Sequence, residues 1–533
     1  MNETTIAGAD VGDRAGPVAT TGPNSTISRL ANALISGALL SFAYPHADIG
    51  WFAFFALIPF LRTFPYQRSG SAFGYGFLFG LTYFTCLLYW IAVFAETKIG
   101  AFGIGAWLIL SGRESLYIGL FSAGLNFLWG RTNWFGRAIG AASLWTAIEW
   151  IRQLGSLGFG WGDLAYTQWR FLPLIQIASV TGLWGVTWLI VLVNTAFASA
   201  RPKIIGWALS LTLIVAIGGA LRMHFADQPH TVASAAALQA DISEDVPYSG
   251  LRPSSSAYFY GTLGQFDQMA ADAKQRTGAT ICVTAETSIP GYPNLDPPLK
   301  QLLISIAQKH NITLIAGARD SDVRSQMDTN SVFVFHPDGS VSGPYDKQQL
   351  VPFGEYVPLR NVFPFLNSFH VLDFDMHAGS SNQPPLDAGN GDKAGIAICY
   401  ESTYPRYLRE QAAHGATFDV VVTDDTWYGK TAAAKQHEAM SVMRAVETNR
   451  YLVRCATTGI SAVISPMGKV LASAPIFKRA VVTAPIEQRH DLTPFVRYGD
   501  WFPWVCVAGL SVQFIFVSRT ATNRVRSGDE NAE

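Results

Sequence analysis

Charge is scarce in this chain of 533 residues: Asp, Glu, Lys and Arg make up 14% of it and nearly cancel, to a formal net charge of -1. That balance leaves no basic footprint for nucleic acid. Cysteine is scarce as well. The five, Cys86, Cys282, Cys399, Cys455 and Cys506, are scattered with no CxxC pair, and two of them lie in apolar spans. Neither a disulfide framework nor a zinc site is indicated. Residues 1–26 lack a basic start and an early apolar core. They are rich in Gly, Thr, Ala, Pro and Asn, so the sequence predicts a disordered tail there and no cleaved signal peptide.

What replaces charge is apolar and aromatic bulk, 13% aromatic with 15 Trp, a membrane-protein balance. About 20 apolar residues cross a bilayer. Spans are predicted near 27–44, 49–64, 70–94, 103–129, 136–154, 176–198 and 203–222, with an eighth at 499–518. The basic residues test this arrangement. Arg14 and Arg29, Arg62 and Arg68, Arg131 and Arg137, Arg201 and Lys203, and Arg519, Arg524 and Arg526 all fall on one side of an eight-span chain. By the positive-inside rule that side is the cytoplasm. A transmembrane domain over 27–222 and an extracytoplasmic segment over 230–490 are therefore expected, with a cytoplasmic tail over 519–533. Within the spans, Glu149 and Arg152 are spaced to pair on one helix face, whereas Arg113 and Glu114 are adjacent and are not expected to face each other.

The outward segment alternates short β-rich runs, at 233–239, 280–285, 312–317, 418–423 and 451–456, with helical stretches such as 300–310 and 436–449. His336-Pro-Asp-Gly339 and Ser465-Pro-Met-Gly468 are hairpin signals. This is a layered α/β pattern. Cys399 ends the apolar run Gly395-Ile-Ala-Ile-Cys399, and Pro405 and Gly415 bracket a helix just beyond it, so the thiol sits in a strand-to-helix connection. Such a position exposes a side chain at the carboxyl end of a strand, where α/β ligands bind.

A free cysteine is most often a small buried hydrophobe. Glu286, in Val-Thr-Ala-Glu-Thr, and Lys347, in Tyr-Asp-Lys, offer a second reading, covalent acyl transfer, and from these residues alone both stay open. A thiol needs a base or a nearby cation to become nucleophilic, and a carbonyl under attack needs a positive group for its oxyanion.

The segments Ala285-Glu-Thr-Ser-Ile-Pro290, Tyr345-Asp-Lys-Gln-Gln-Leu-Val-Pro-Phe-Gly-Glu-Tyr-Val-Pro358 and Ile398-Cys-Tyr-Glu401 resemble, in order and spacing, the nitrilase or carbon-nitrogen hydrolase superfamily. The stretch from Lys347 to Pro358 more narrowly resembles the bacterial apolipoprotein N-acyltransferase family. That resemblance implies a multi-pass α-helical membrane domain joined to an α/β nitrilase-like αββα sandwich. It implies Cys399 as nucleophile, Glu286 as general base and Lys347 as oxyanion-stabilising cation. Glu355, Tyr400, Glu401 and Trp427 are implied as supporting or substrate-binding residues. The implied reaction moves a fatty acyl chain from a phospholipid, through a cysteine thioester, to the amine of a diacylglyceryl-cysteine lipoprotein, with no metal or cofactor. The implied location is the inner (cytoplasmic) membrane, with catalysis on the periplasmic or extracytoplasmic side. A membrane-anchored amidase, in which water takes the acyl group, is the alternative, as is an acyltransferase with another amine acceptor.

The sequence departs from the family at Asp424-Asp-Thr-Trp-Tyr-Gly429, where Asn-Asp-Ala-Trp-Phe-Gly is common, and at Thr457, where Asn is usual. A carboxylate at Asp424 is expected to disfavour the thiolate if it lies close to it. Apolar residues beyond Lys347 (Val351, Phe353, Tyr356, Val357, Leu359, Val362, Phe363, Phe365 and Leu366) fit two readings, core or arms dipping into the headgroup region.

Overall fold

Alternation decides which way each strand of the α/β segment faces. In β1 (Ala233–Gln239), Ala235 and Ala237 pack between two sheets while Ala236 and Leu238 pack against helices on the other side. The period of two is that of a strand buried on both faces. The computed structural model describes residues 25–66, 68–93, 102–226, 233–242, 248–249, 251–322, 327–364 and 375–526. The expected tail over 1–26 falls almost wholly outside the described residues, as do Phe365 and Leu366 and the last seven positions of the expected 519–533 tail.

Past a two-residue ribbon of β2 (Tyr248–Ser249) and β3 (Arg252–Pro253) come β4 (Ile281–Thr284), β5 (Thr313–Asp322), β6 (Met327–Phe335) and β7 (Val341–Asp346). The second group is β8 (Leu386–Gly389), β9 (Asp392–Ile398), β10 (Phe418–Thr423), β11 (Leu452–Ala456), β12 (Ala462–Ile464) and β13 (Val470–Ser473), and β14 (Ala480–Ile486) returns to the first. One six-stranded sheet has the order β14-β1-β4-β5-β6-β7 and the other β13-β12-β11-β10-β9-β8. The sheets pack face to face over an apolar core that includes Val283, Ile315, Ile396, Ile398, Val420 and Val422. Helices Ser256–Thr277 and Pro297–His310 cover the first sheet. Helices Pro405–Ala413 and Ala433–Thr448 cover the second, completing the four-layer αββα sandwich.

The outer helix layer is shared with the N-terminal helices. Every residue of Ala433–Thr448 except Lys435 is buried, because the helix lies between the second sheet and the helical bundle in one continuous core. In the bundle, Gly76 and Gly80 of helix Ser69–Leu87 face helix Phe102–Trp129 so closely that a Cβ would come 2.4 Å from Ser122 Cβ and 2.9 Å from Ser115 Cα. Small residues four apart let two apolar helices make backbone-close contact.

Helices Pro202–Phe225 and Trp501–Arg519 are long and apolar enough to cross a bilayer. Three expected spans differ from single helices: within 70–94, helix Ser69–Leu87 ends in a turn at Leu88 before helix resumes over 89–93. Segment 49–64 is a 3-10 turn, Gly50–Phe54, followed by the short helix Ile58–Leu61. It still runs the length of the bundle: Pro45 O accepts a hydrogen bond from Gln436 of the sandwich, while Tyr66 lies under the Arg29 guanidinium at the other end. Segment 176–198 is split at Gly182, with φ +67°, into Ala178–Thr181 and Trp184–Ala198. The C-terminal helix continues to Arg526, past the expected end at 518.

The charges buried in the helical bundle also pair differently from the sequence expectation. Arg152 bonds Glu114 at 3.2 Å and Asp163, while Glu149 accepts from Trp145 Nε1, Leu164 N–H and the Thr187 hydroxyl at 2.8–3.0 Å. Arg113 does reach its neighbour Glu114, at 2.5 Å, because its long side chain folds back. These groups hold loop 153–163, which the sandwich also grips: Gly158 O accepts from the Tyr400 and Tyr404 hydroxyls, and Trp161 Nε1 donates to Gln436 Oε1 at 2.7 Å.

Candidate active site

Three strand ends converge. Glu286 follows β4, Lys347 follows β7 and Cys399 follows β9, so two residues from one sheet meet one from the other at their carboxyl edges. Lys347, 1% exposed, donates to Glu286 Oε1 at 2.9 Å and to Glu355 Oε1 at 2.8 Å. An ammonium has three hydrogens. Two are engaged by these carboxylates and one remains for an oxyanion. Burial opposes the Lys347 charge, but Glu286 and Glu355 outweigh it and hold the amine protonated, well above the usual lysine range.

Cys399 is 7% exposed and its φ of +51° places a non-glycine residue in the left-handed region. Such a conformation costs about 1–2 kcal/mol and persists only where the surroundings fix it. Here Ile398 N–H donates to Glu401 Oε2 at 2.8 Å, and the Ser402 hydroxyl donates to Cys399 O at 2.7 Å. The His437 imidazole sits 3.2 Å from that same carbonyl. Burial pushes the thiol well above its ordinary value, Glu286 adds to this, and Lys347 works against it. Cys399 therefore rests as a thiol with its proton in place.

Glu401 binds the two halves of the site. Oε1 accepts Gln348 N–H at 2.6 Å and Gln349 N–H at 3.3 Å, beside Lys347, while Oε2 accepts Ile398 N–H and the Tyr345 hydroxyl, the latter at 3.1 Å. Burial pushes its carboxyl up to about 7 against these donors. Glu401→Gln puts an amide N–H where one pair of donors now points, and donor against donor costs about 1–3 kcal/mol per buried group. Acylation of Cys399 is expected to fall at least roughly tenfold in that variant. A rate equal to that of the unaltered protein, measured as acyl incorporation, contradicts the role.

The other expected residues take distinct places. Glu355 holds Lys347 and accepts Val351 N–H at 2.8 Å. Tyr400 points away from the sheets and donates to Gly158 O at 3.0 Å. Trp427 is half-buried in the turn Asp425–Tyr428. Asp424 donates its backbone N–H to Glu286 Oε2 at 2.7 Å, and its carboxylate accepts Thr426 N–H. Its side chain thus caps the turn, and its neighbour Asp425 adds a charge that opposes the thiolate. Beyond Lys347, Val357 is core, whereas Leu359, Val362 and Phe363 are exposed, so the apolar arm divides between the two readings.

Sequence reasoning missed Asn330, whose amide donates to Glu286 at 2.7 Å and to Glu355 at 3.3 Å. It also missed the fully buried group behind the nucleophile, in which Asp425 bonds His437 and Arg454. Burial raises the Asp425 carboxyl, but Arg454 and His437 more than offset this and keep it ionised. Neither group carries a local sequence signal, since each partner comes from a different strand or helix.

The comparisons agree in both halves. Residues 36–196 match the family model for the apolipoprotein N-acyltransferase N-terminal domain, and residues 234–494 match carbon-nitrogen hydrolase. An apolipoprotein N-acyltransferase of Geobacter metallireducens is 32% identical over 501 residues, covering 90% of this chain and 93% of that protein. One from Gloeobacter violaceus is 28% identical, covering 90% and 92%. Among solved structures, Saccharomyces cerevisiae Nit3, a member of the nitrilase superfamily, is 18% identical with a TM-score of 0.38, covering 49% of this chain and 91% of that one. On the strength of the near full-length relatives and the two matching domains, the chain belongs to the apolipoprotein N-acyltransferase family.

Proposed function

We propose that this protein transfers a fatty acyl chain from a phospholipid to the N-terminal amine of a diacylglyceryl-cysteine apolipoprotein, in two steps through a thioester on Cys399. The observation that carries the reading is the buried Glu286–Lys347–Glu355 cluster at the strand ends beside a thiol held in a strained turn. In the first step Glu286 takes the thiol proton while sulfur attacks the ester carbonyl. Lys347 stabilises the oxyanion. The C–O bond breaks, and the proton on Glu286 passes to the departing alcohol of the lysophospholipid. In the second step Glu286 takes a proton from the attacking amine, the N–C bond forms, the S–C bond breaks and sulfur regains a proton.

The eight apolar segments are read as a multi-pass domain in the cytoplasmic membrane, with the sandwich on the extracytoplasmic side. The clustering of basic loops supports this orientation. So does the passage of segment 49–64 from one end of the bundle to the other. The domain limits are read as 27–222, 230–490 and 499–518. Exposed Leu359, Val362 and Phe363 at the rim suit a site that opens to lipid.

Sequential addition tests the reaction. Incubation with phosphatidylethanolamine alone is expected to add one acyl chain to the protein, and later addition of a diacylglyceryl-cysteine peptide is expected to remove it as N-acyl peptide. Release only as free fatty acid would make the protein a hydrolase.

A further inference from the structure

A second polar site lies where the bundle meets the sandwich. A cleft of about 510 Å³ is bounded by the turn after the first helix, with His46 and Asp48, by Arg170, and by Lys430, Thr431 and Lys435 of the sandwich. Three of its lining side chains, Arg170, Lys430 and Lys435, are cationic. Arg170 pairs with Asp48 at 2.6 Å, and Lys435 with Glu438 at 2.5 Å. Lys430 is exposed and, among the described residues, has no carboxylate within ion-pair distance. The indole of Trp169 fixes the cleft's geometry: its Nε1 donates to Asp48 at 2.9 Å, and Arg170 and Lys435 lie 4.8 Å and 5.0 Å from its ring. The turn that forms one wall is strained, with φ of +149° at His46 and +59° at Asp48. Strain of that kind is retained where the surroundings over-determine it, often at ligand clamps.

The residues that adjoin the cleft along the chain point to its ligand. Phe42, Trp51 and Phe171, at 50%, 62% and 46% exposure, belong to the same corner of the bundle. Ile49 N–H donates to Phe42 O, and Gln168 Nε2 donates to Gly50 O, which ties the strands of this corner together. A cleft with three cations adjoining exposed aromatic side chains matches the headgroup and chains of one molecule. A free anion needs no apolar surface.

We infer that this cleft binds the phosphodiester of a phospholipid and positions it as acyl donor beside the Cys399 site. The inference rests on the proposed phospholipid donor. The chain links the two sites directly, since the turn whose Asp424 N–H holds Glu286 runs on through Tyr428 to Lys430, and the Thr431 hydroxyl donates back to Tyr428 O at 2.7 Å. Tyr428 packs against Trp90 and Trp161, at 4.9 Å and 5.9 Å, between the cleft and the nucleophile turn.

The test compares Lys430→Glu and the pair Lys430→Gln with Arg170→Gln against the unaltered protein in mixed micelles. Acyl donors are phosphatidylglycerol and the corresponding diacylglycerol, which offers the same esters without the phosphate. Each lost cation is expected to raise the half-saturating phosphatidylglycerol concentration roughly fivefold, with a much smaller change for diacylglycerol. Equal losses on both donors, no change on either, or a change confined to the acceptor peptide would overturn the inference. Binding is scored separately by native mass spectrometry of phosphatidylglycerol retained by Cys399→Ala, with and without Lys430→Glu. If the unaltered protein takes no acyl group from phospholipid, the donor reading fails, and cation-dependent lipid retention alone decides whether the cleft binds lipid. Lipid displaced by micromolar inorganic phosphate would assign the cleft to the free ion and overturn the inference.

Discussion

Cys399→Ala is expected to abolish acyl transfer while leaving the protein folded in the membrane. Alanine keeps the Cβ and meets the same left-handed backbone requirement at φ +51°, so the turn held by Glu401, Ser402 and His437 has no new strain to absorb. The buried site loses only one sulfur. Chemistry loses its only proposed covalent carrier, because neither Glu286 nor Lys347 can form a thioester. Loss of a nucleophile in comparable covalent mechanisms costs roughly four to six orders of magnitude. Acyl incorporation and N-acyl peptide formation, measured together with the melting temperature, check both halves. Retained transfer at a tenth of the normal rate would remove Cys399 from the mechanism.

Lys347→Met is expected to be nearly as damaging, and to act on stability as well. Methionine keeps much of the volume but leaves the Glu286 and Glu355 carboxylates facing each other across a buried space with no cation between them. Breaking a buried ion pair from one side costs about 3–5 kcal/mol. The oxyanion loses its nearest positive group, worth about 10²–10³ in rate. The thiol also loses the neighbour that most favours its anion, so it climbs further from ionisation. Slower acylation and a lower melting temperature are both expected. A mild rate effect with the melting temperature unchanged would move oxyanion stabilisation to backbone N–H groups.

The readable parts of the sequence were those set by local rules. Strands β1 and β10 fall on the expected residues because Ala233–Gln239 and Phe418–Thr423 are short apolar runs ended by polar residues. Helix Pro405–Ala413 begins at its proline and ends before Gly415, whose φ of +94° suits glycine. Both hairpin signals join antiparallel partners, β6 to β7 and β12 to β13. The family motifs led to Glu286, Lys347, Glu355 and Glu401, which the fold brings into one cluster.

What was not readable depends on topology. Arg152 is three residues from Glu149, yet its partners are Glu114, from a neighbouring helix, and Asp163, from the loop beyond its own. Helical spacing identifies which residues can meet on one face, but a longer-range carboxylate with better geometry takes the guanidinium. Asn330 is hidden in a strand, and only the sheet order β4-β5-β6 carries it to Glu286. The breaks within 49–64 and 176–198 follow from the packing of neighbouring segments: Asn194 Oδ1 accepts Leu57 N–H and its amide donates to Ala53 O, while Glu447 Oε1 accepts Leu183 N–H, replacing bonds that a continuous helix would make internally.

The most direct measurement is peptide mapping by mass spectrometry of the acyl-protein formed with phosphatidylethanolamine and quenched in acid, where thioesters survive. The account predicts one acyl group, carried on Cys399 within the peptide around Gly395–Tyr400, labile to neutral hydroxylamine and discharged by the acceptor peptide as an amide. An acyl group on another residue, or efficient transfer with no acyl-protein at any time, would contradict it.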